Sequence, residues 1–153
     1  MDHVRGERPD LLIAENGGLV GVATPDGRAL SKSRGSGFVA GVWLENDGAP
    51  MSQEAAAALW PAHVAVEQGA LRVIAGKKAA ADAWCNKGDW LVSNQRIEQP
   101  LPCQVFDPKS LKQTGSIAVY AGADGPRIET ARQRAGDRLW NQWVWRKERP
   151  ATR

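Results

Sequence analysis

The stretch LLIAENGGLVGVA, residues 11–23, decides how this chain begins to fold. Two short apolar runs flank a central Glu-Asn-Gly-Gly, and the Asn-Gly pair supplies the positive φ angles that a tight hairpin turn requires. A second turn, Pro25-Asp26-Gly27, then delivers residues 28–30 as a third strand. The chain is therefore predicted to open with a β-meander.

Two helices are predicted after the meander. Residues 35–37 break the strand pattern, and the apolar residues of 38–43 recur at helical spacing, with Ser36 placed to cap the first free amides. Residues 52–60 give the clearest helix signal, because a capping serine precedes an Ala-rich run of strong helix formers. Pro61 ends this second helix.

The second half of the sequence alternates short strands with short helices. Strands are predicted at 64–66, 71–74, 90–93 and 103–106, and an Ala-rich helix at 77–85. Asp107 as a cap and Pro108 at the first helical position favour a short helix that Gly115 ends. Residues 116–131 form a hairpin. The order indicates the α+β class, a mixed β-sheet with flanking helices packed on it.

Length and composition indicate a globular domain. The chain has 153 residues, of which 42% are hydrophobic and 24% charged, close to the averages of globular proteins. Residues 10–137 are predicted to form a single α+β domain, with a flexible leader at 1–9 and a basic tail rich in Trp and Arg at 138–153. No apolar run approaches a membrane span, and residues 1–30 lack the order of a signal peptide, so the chain is expected to be soluble.

The C-terminal tail combines cations with aromatic rings. Residues 127–153 hold eight Lys or Arg against three acids, a net charge of +5, whereas the whole chain carries +3. This combination favours sequence-independent contact with single- or double-stranded DNA. Packing of the tail onto the domain, a membrane surface and a solvated tail are the alternatives. The predicted nucleic-acid-binding residues are Arg132, Arg134, Arg138, Trp140, Trp143, Trp145, Arg146, Lys147 and Arg149.

A candidate anion site precedes the first helix. It comprises Lys32, Arg34, Gly35, Ser36 and Gly37. Free backbone amides and the helix dipole converge at such a position and can cradle a phosphate, and the two cations add charge. The segment lacks the full P-loop or dinucleotide-binding fingerprint. A plain glycine turn with a serine cap is the alternative.

The sequence predicts no catalytic residue, metal ligand or cofactor. His63 is the only credible base for a Ser or Cys nucleophile, no GxSxG elbow presents a serine, and His63 is expected to be a loop residue. Asp107 follows an apolar strand, where α/β enzymes often place acids, but its role as a helix cap already explains it. The two histidines and two cysteines lack the spacing of a zinc site.

Cys85 and Cys103 are the only cysteines. Cys85 follows a predicted helix just before one strand, and Cys103 opens the next strand, so both lie near the same sheet edge if those strands run parallel. In an oxidising compartment they can form a disulfide. Two buried free thiols are the alternative.

An ordered series of segments resembles a known family. In order, the segments are PDLLIAENGGLVGV, DGRAL, SGFVAGVWLENDG, AWCNKGDWLVS, PLPCQVFDPKSLKQTGSIAV and RIETARQRAGDRLWN. Over roughly residues 9–141, they are similar to the C-terminal soluble region of alphaproteobacterial ComEC competence proteins. These proteins are inner-membrane channels that bring single-stranded DNA into the cytoplasm during natural transformation. Their C-terminal region is usually a metallo-β-lactamase-like domain proposed to degrade the non-transported strand.

The resemblance implies a shortened, degenerate metallo-β-lactamase-like domain. The family's His-x-His-x-Asp-His motif has no match, and WLVSNQR, residues 90–96, stands where a His-His-Gly-Ser motif would follow a strand. The implied function is therefore non-catalytic contact with DNA or with a partner. The domain would adjoin the membrane-channel portion of a parent chain, associated with the inner membrane and facing the periplasm. A metal-dependent nuclease and an interaction module that touches no DNA are the alternatives, and the oligomeric state is left open.

Overall fold

The computed structural model describes residues 8–48, 51–122 and 124–133, which fold into short strands and helices. In chain order the elements are β1 (Leu11–Ile13), β2 (Val20–Thr24), β3 (Gly27–Leu30), α1 (Gly37–Asn46), α2 (Gln53–Ala58), β4 (Leu71–Ile74), α3 (Lys77–Ala81), β5 (Trp90–Ser93), β6 (Gln104–Phe106), α4 (Pro108–Thr114), β7 (Ile117–Tyr120) and β8 (Arg127–Thr130). The protein is a mixed α+β structure, as the order of sequence signals predicts. No helix in the described ranges is both long enough and apolar enough to cross a bilayer.

The predicted meander is confirmed as part of a five-stranded antiparallel sheet of order β3-β2-β1-β7-β8. Ile13 pairs with Val20 on one side of β1 and with Ile117 on the other. The predicted turn closes the first hairpin with Gly17 at φ 73°, but Asn16 does not adopt the positive φ that the prediction assigns to the Asn-Gly pair. The last hairpin, β7 and β8, belongs to the same sheet. The first and last described strands are therefore part of one sheet.

The expectation of a single mixed sheet is wrong. Strands β4, β5 and β6 form a separate three-stranded parallel sheet, in which Leu71 pairs with Trp90 and Trp90 with Gln104. Crossover segments join these strands, so they pair with one another in parallel. Their apolar inner face packs against the face of the antiparallel sheet instead of extending its edge.

The main hydrophobic core lies between the two sheets. Buried residues from both sheets form one cluster, which includes Ile13 and Val20 from the antiparallel sheet and Val92 from the parallel sheet. The rings of Trp90 and Phe106 lie 5.1 Å apart within it, at the tilted geometry that aromatic pairs favour. The facing sides of the two sheets therefore form the core of a sandwich.

Helices α1 and α2 cover the outer face of the antiparallel sheet. Leu30, Ala40, Leu44 and Ala56 belong to a second buried cluster there. The Arg28 side chain is 1% exposed, and its guanidinium group donates to both carboxylate oxygens of Asp47, at 2.9 and 3.2 Å. This bidentate pair ties β3 to the end of α1.

Local capping predictions have mixed outcomes. Ser52 accepts a hydrogen bond from the Ala55 amide, and Asp107 accepts one from the Ser110 amide, so both predicted caps are confirmed. The predicted cap by Ser36 is wrong. This residue has a left-handed conformation, φ 52° and ψ 35°, and its hydroxyl makes no capping hydrogen bond.

Two elements are shorter than their sequence signals predict. Residues 64–66 make a single bridge, Ala65 to Ala70, because a tight turn at 66–69 leaves room for little more. Helix α3 ends at Ala81 rather than at Cys85. The Gln99 side-chain amide donates to the Ala80 carbonyl at 3.0 Å and to the Ala81 carbonyl at 3.3 Å, so a side chain satisfies the last turn of the helix.

Candidate functional site

The two ends of the sandwich differ in their chemistry. We call the end where β4, β5 and β6 finish the carboxyl end, and the end where they start the amino end. In parallel sheets, ligands commonly bind outside the carboxyl ends of the strands. The candidate anion site and Arg132 follow two strands that finish at the carboxyl end, β3 and β8 respectively.

Tight backbone packing assembles the carboxyl end. A Cβ atom at Gly17 would clash with the carbonyl oxygen of Ser93, the last residue of β5, and would lie 3.5 Å from a methyl carbon of Leu111 in α4. Beyond β5, the Gly76 amide donates to the Asn94 side-chain carbonyl at 2.9 Å. The first hairpin turn, the parallel sheet and α4 therefore meet at one surface.

The segment of the candidate anion site is held against α2. The side-chain amide of Gln53 donates to the Gly35 carbonyl at 2.8 Å and to the Lys32 carbonyl at 3.2 Å. The hydroxyl of Ser31 accepts the Val20 amide at 2.9 Å. Sequence analysis did not predict this anchoring, because Gln53 lies 18 to 21 residues from its partners.

The structure brings most of the candidate anion site together. A Cβ atom at Gly35 would lie 3.2 Å from the Lys32 ammonium nitrogen, so this cation sits beside the loop backbone. The left-handed Ser36 leaves the start of α1 without a side-chain cap. Arg34 is exposed and forms no ion pair with any described residue. The local geometry offers donors and positive charge.

Further cations lie at the carboxyl end. Arg96 follows β5 and lies 3.8 Å from Glu98, both on exposed side chains. Arg132, the one predicted DNA contact of the tail within the described residues, donates from Nε to the Gln113 carbonyl at the end of α4, at 3.2 Å. The cations at this end that make no ion pair within the described ranges are Lys32, Arg34, Lys77, Lys109, Lys112 and Arg132.

The rest of the predicted DNA-binding set lies outside the described residues. This set comprises Arg134, Arg138, Trp140, Trp143, Trp145, Arg146, Lys147 and Arg149. The predicted leader at 1–9 also falls mainly outside them. What the structure adds is the position of Arg132, which follows β8 at the carboxyl end.

The buried carboxylate at the carboxyl end has a structural role. Asp107 accepts the amides of Ile97 at 2.9 Å and Ser110 at 3.0 Å. Burial alone would raise its pKa, but these hydrogen bonds outweigh burial and lower the pKa below its ordinary value. The carboxylate is therefore held ionised as a cap, with both oxygens engaged.

Metal-ligand clusters are missing from the described part of the chain. No group of three or more His, Cys, Asp or Glu side chains is close enough there to hold an ion. His63, the one candidate base, is exposed in the connection between α2 and β4. The described residues at the carboxyl end offer surface charge and backbone donors for binding.

The amino end is organised around Asp89, a residue that sequence analysis missed. Its carboxylate accepts the amides of Ala70 and Asn86 and the Nε of Arg72, each at 2.9 Å. These three donors, the two amides first, lower the pKa of Asp89 from 3.8 to about 2. The Arg72 guanidinium also lies 4.0 Å from the centre of the Trp84 ring. One carboxylate thus ties together the starts of β4 and β5.

A disulfide lies at the same end. Cys85 and Cys103 are joined, with their Cα atoms 6.0 Å apart, and no free cysteine remains. Cys85 precedes β5 and Cys103 precedes β6, which run parallel. The bond therefore cross-links the two connections that lead into neighbouring strands.

A mainly apolar cavity of about 320 Å³ opens between the sheets at the amino end. Val22, Val66, Trp90 and Val119 line it, and Asp10 lies at its border. The Asp10 carboxylate already accepts the Ala121 amide at 2.7 Å. Glu67 also lines the cavity, so its surface is mainly apolar with one further carboxylate.

Comparison with protein-family models, with curated proteins and with solved structures finds no match.

Proposed function

We propose that this chain is a non-catalytic extramembrane domain of a ComEC-like inner-membrane DNA-uptake protein, and that its carboxyl end contacts DNA without reading sequence. The membrane-channel portion of a parent chain is its other proposed partner. The observation that carries the proposal is the set of cations at the carboxyl end that make no ion pair within the described residues. Such a surface attracts phosphates and is screened by salt.

The element order supports a shortened metallo-β-lactamase-like domain. Strands β5 and β6, helix α4 and the β7–β8 hairpin follow one another, and this strand, strand, helix, hairpin series is the part of the chain that resembles the end of that fold. The resemblance also makes the carboxyl end of β5 the place where ligands of the family's metal site would be sought.

The residues at that place support binding over catalysis. The Ser93 hydroxyl donates to the Gln95 carbonyl at 2.7 Å, and the Asn94 side-chain carbonyl accepts the Gly76 amide. Both side chains are thus engaged with backbone. Arg96, the next charged residue, is a cation and would repel a metal ion.

The disulfide supports a periplasmic location. Disulfides form and persist in oxidising compartments, and the bacterial periplasm is one of them. In the described structure, a disulfide at the amino end joins the two cysteines of the chain. A domain on this side of the inner membrane would meet incoming DNA before its transport.

Titration of labelled DNA tests the proposal. The full chain and a variant lacking residues 138–153 are titrated with a single-stranded oligonucleotide and with a duplex at two salt concentrations. We expect weak binding by the full chain that falls with salt, with log K decreasing by about 0.7 per single-strand phosphate contact for each tenfold rise in salt. The truncated variant should bind more weakly but retain a salt-dependent component from the described cations.

Three outcomes would contradict the proposal. Absence of binding by the full chain would favour an interaction module that touches no DNA. Binding without salt dependence would remove the role of the cations. Cleavage of either DNA in the presence of Mn²⁺, Mg²⁺ or Zn²⁺ that survives stringent purification would identify the domain as a metal-dependent nuclease instead.

A further inference from the structure

One hydrophobic side chain of helix α1 is unusually exposed to solvent. Phe38, in its first turn, is 85% exposed, the largest exposure of any large hydrophobic side chain in the described ranges. Burying such a side chain is normally favourable, so a fold that leaves it in water has not used it for its own stability.

The other described aromatic residues have protein partners. Trp90 and Phe106 contact each other, and Trp84 and Tyr120 lie under the guanidinium groups of arginines. Trp43 and Trp60 pack against the two hydrophobic clusters. Phe38 is the aromatic residue that no such contact explains.

The surroundings of Phe38 are open on the helix surface. Gly37 precedes it and Gly41 lies nearly one turn further on, and a Cβ atom added at either glycine would meet nothing within 4 Å. Side chains three and four residues apart share a helix face. The glycines therefore leave the ring unscreened, and a flat group can approach its face.

The charge beside Phe38 is positive. Lys32 and Arg34 lie in the segment that leads into α1, and neither forms an ion pair with a described residue. An exposed ring next to unpaired cations is the combination that binds unpaired nucleic acid, because bases stack on the ring while the cations contact phosphates.

The same helix face argues against a flat anionic membrane as the partner. Glu45 lies two turns beyond Phe38, and Val42 between them is 37% exposed. A membrane surface along the whole helix would meet this carboxylate, whereas a single strand that crosses only the first turn would avoid it. A membrane-binding helix also needs a broad apolar face, and here one ring dominates.

We propose that Phe38 is a stacking platform for a base of single-stranded DNA, with Lys32 and Arg34 holding the adjoining phosphates. This inference rests on the proposed function and specifies which residue makes the carboxyl end prefer unpaired strands. A base inside a duplex is already stacked on its neighbours, so the ring favours a single strand over a duplex.

Substitutions at Phe38 distinguish base stacking from nonspecific hydrophobic binding. Fluorescently labelled oligothymidylate and a blunt duplex are the probes, at constant salt, with the full chain. Phe38→Ala should weaken binding of the single strand about 5- to 150-fold, the effect of losing one stacked base, and leave duplex binding nearly unchanged. Phe38→Trp should retain the affinity, whereas Phe38→Leu should lose it, because leucine keeps apolar area but has no aromatic face.

Matched controls and salt dependence complete the test. Ile128→Ala removes an exposed apolar side chain, 43% accessible, from β8 and should leave binding unchanged. Arg34→Gln should lower the slope of log K against log salt by about 0.7, while Phe38→Ala should leave the slope unchanged. Unfolding midpoints of the Phe38 variants should match the original chain, since the ring is outside the core.

The outcomes distinguish this inference from the proposed function. If the original chain binds DNA and Phe38→Ala or Phe38→Leu binds the single strand equally well, the stacking role is wrong and the function stands. If the original chain binds neither probe, both are wrong. Phe38-dependent binding to anionic phosphatidylglycerol vesicles, without an effect on DNA, would assign the ring to a membrane contact and overturn the inference.

Discussion

The two ends of the sandwich use their polar groups in opposite ways. At the amino end, Asp89 joins three donors, and a disulfide links the segments before β5 and β6. At the carboxyl end, Lys32, Arg34 and the α4 lysines make no ion pair within the described ranges. The difference indicates that the amino end uses its charged groups to hold the strands in place. The carboxyl end is held by backbone packing and by Asp107, and it also keeps cations available.

Removing the disulfide should have the largest effect on stability. The Cys85→Ala plus Cys103→Ala variant should lose about 3 kcal/mol of unfolding free energy, the value that the chain-entropy model gives for closing a loop between cysteines 18 positions apart. Urea unfolding with and without reductant measures it. Reductant should lower the stability of the original chain and leave the variant unchanged; equal sensitivity of both would contradict a structural cross-link.

Adding a side-chain atom at the close contact of Gly17 should reduce the unfolding free energy somewhat less than removing the disulfide. Gly17→Ala places a Cβ atom at φ 73° and against the Ser93 carbonyl, so we expect a loss of about 2 kcal/mol. Gly37→Ala is the matched control, because its Cβ would meet nothing within 4 Å. A Gly17→Ala variant as stable as the Gly37→Ala variant would show that the turn does not approach β5 as described.

Low pH should destabilise the protein by protonating Asp89 at the amino end. Because hydrogen bonds lower its pKa in the folded state to about 2, the stability that it contributes is present above the unfolded value of 3.8 and is lost as pH falls towards 2. Asp89→Asn should therefore destabilise the protein at pH 7 and flatten the acid part of its stability profile. The exposed pair of Lys78 and Asp82 offers a control, since Asp82→Asn should change neither property.

Neutralising single cations should give the smallest effects, which are changes in the salt dependence of DNA binding. These changes show at which end of the sandwich the phosphate contacts lie. Lys109→Gln and Lys112→Gln, on α4, should each reduce the salt dependence of single-stranded DNA binding by up to one phosphate contact, about 0.7 in the slope. Lys87 lies near the amino end, between Cys85 and β5. Lys87→Gln should therefore leave the slope of log K against log salt unchanged. Equal effects at both ends would mean that DNA contact does not distinguish them.

Sequence signals found the parts of this structure that depend on neighbouring residues. The Asn-Gly turn, the Ser52 and Asp107 caps and the final hairpin are local features, and their chemistry acts within a few residues. The division into two sheets was missed, because pairing of β4, β5 and β6 depends on contacts across crossovers. Asp89 was missed for the same reason, since Ala70 and Arg72 lie 19 and 17 residues before it.

The candidate site was predictable only in outline. The cations of 32–37 were identified from the glycine-rich motif before a predicted helix, but the anchoring by Gln53 and the left-handed Ser36 require the folded chain. Phe38 was predicted as one of several apolar positions at helical spacing. The helix is apolar on nearly every side, so its sequence does not say which side is exposed. Only the packing of Ala40 and Leu44 against the sheet leaves Phe38 outside.

The central place of β1 in its sheet has a mechanical consequence. Strand β1 is hydrogen-bonded to β2 on one side and to β7 on the other, and the chain enters it at the amino end while β8 leaves at the carboxyl end. A pulling force between these two points loads the ladders of β1 lengthwise, so their hydrogen bonds must break together rather than one after another. A domain tethered before Asp10 and gripping a moving strand at the opposite end would resist tension in its strongest direction.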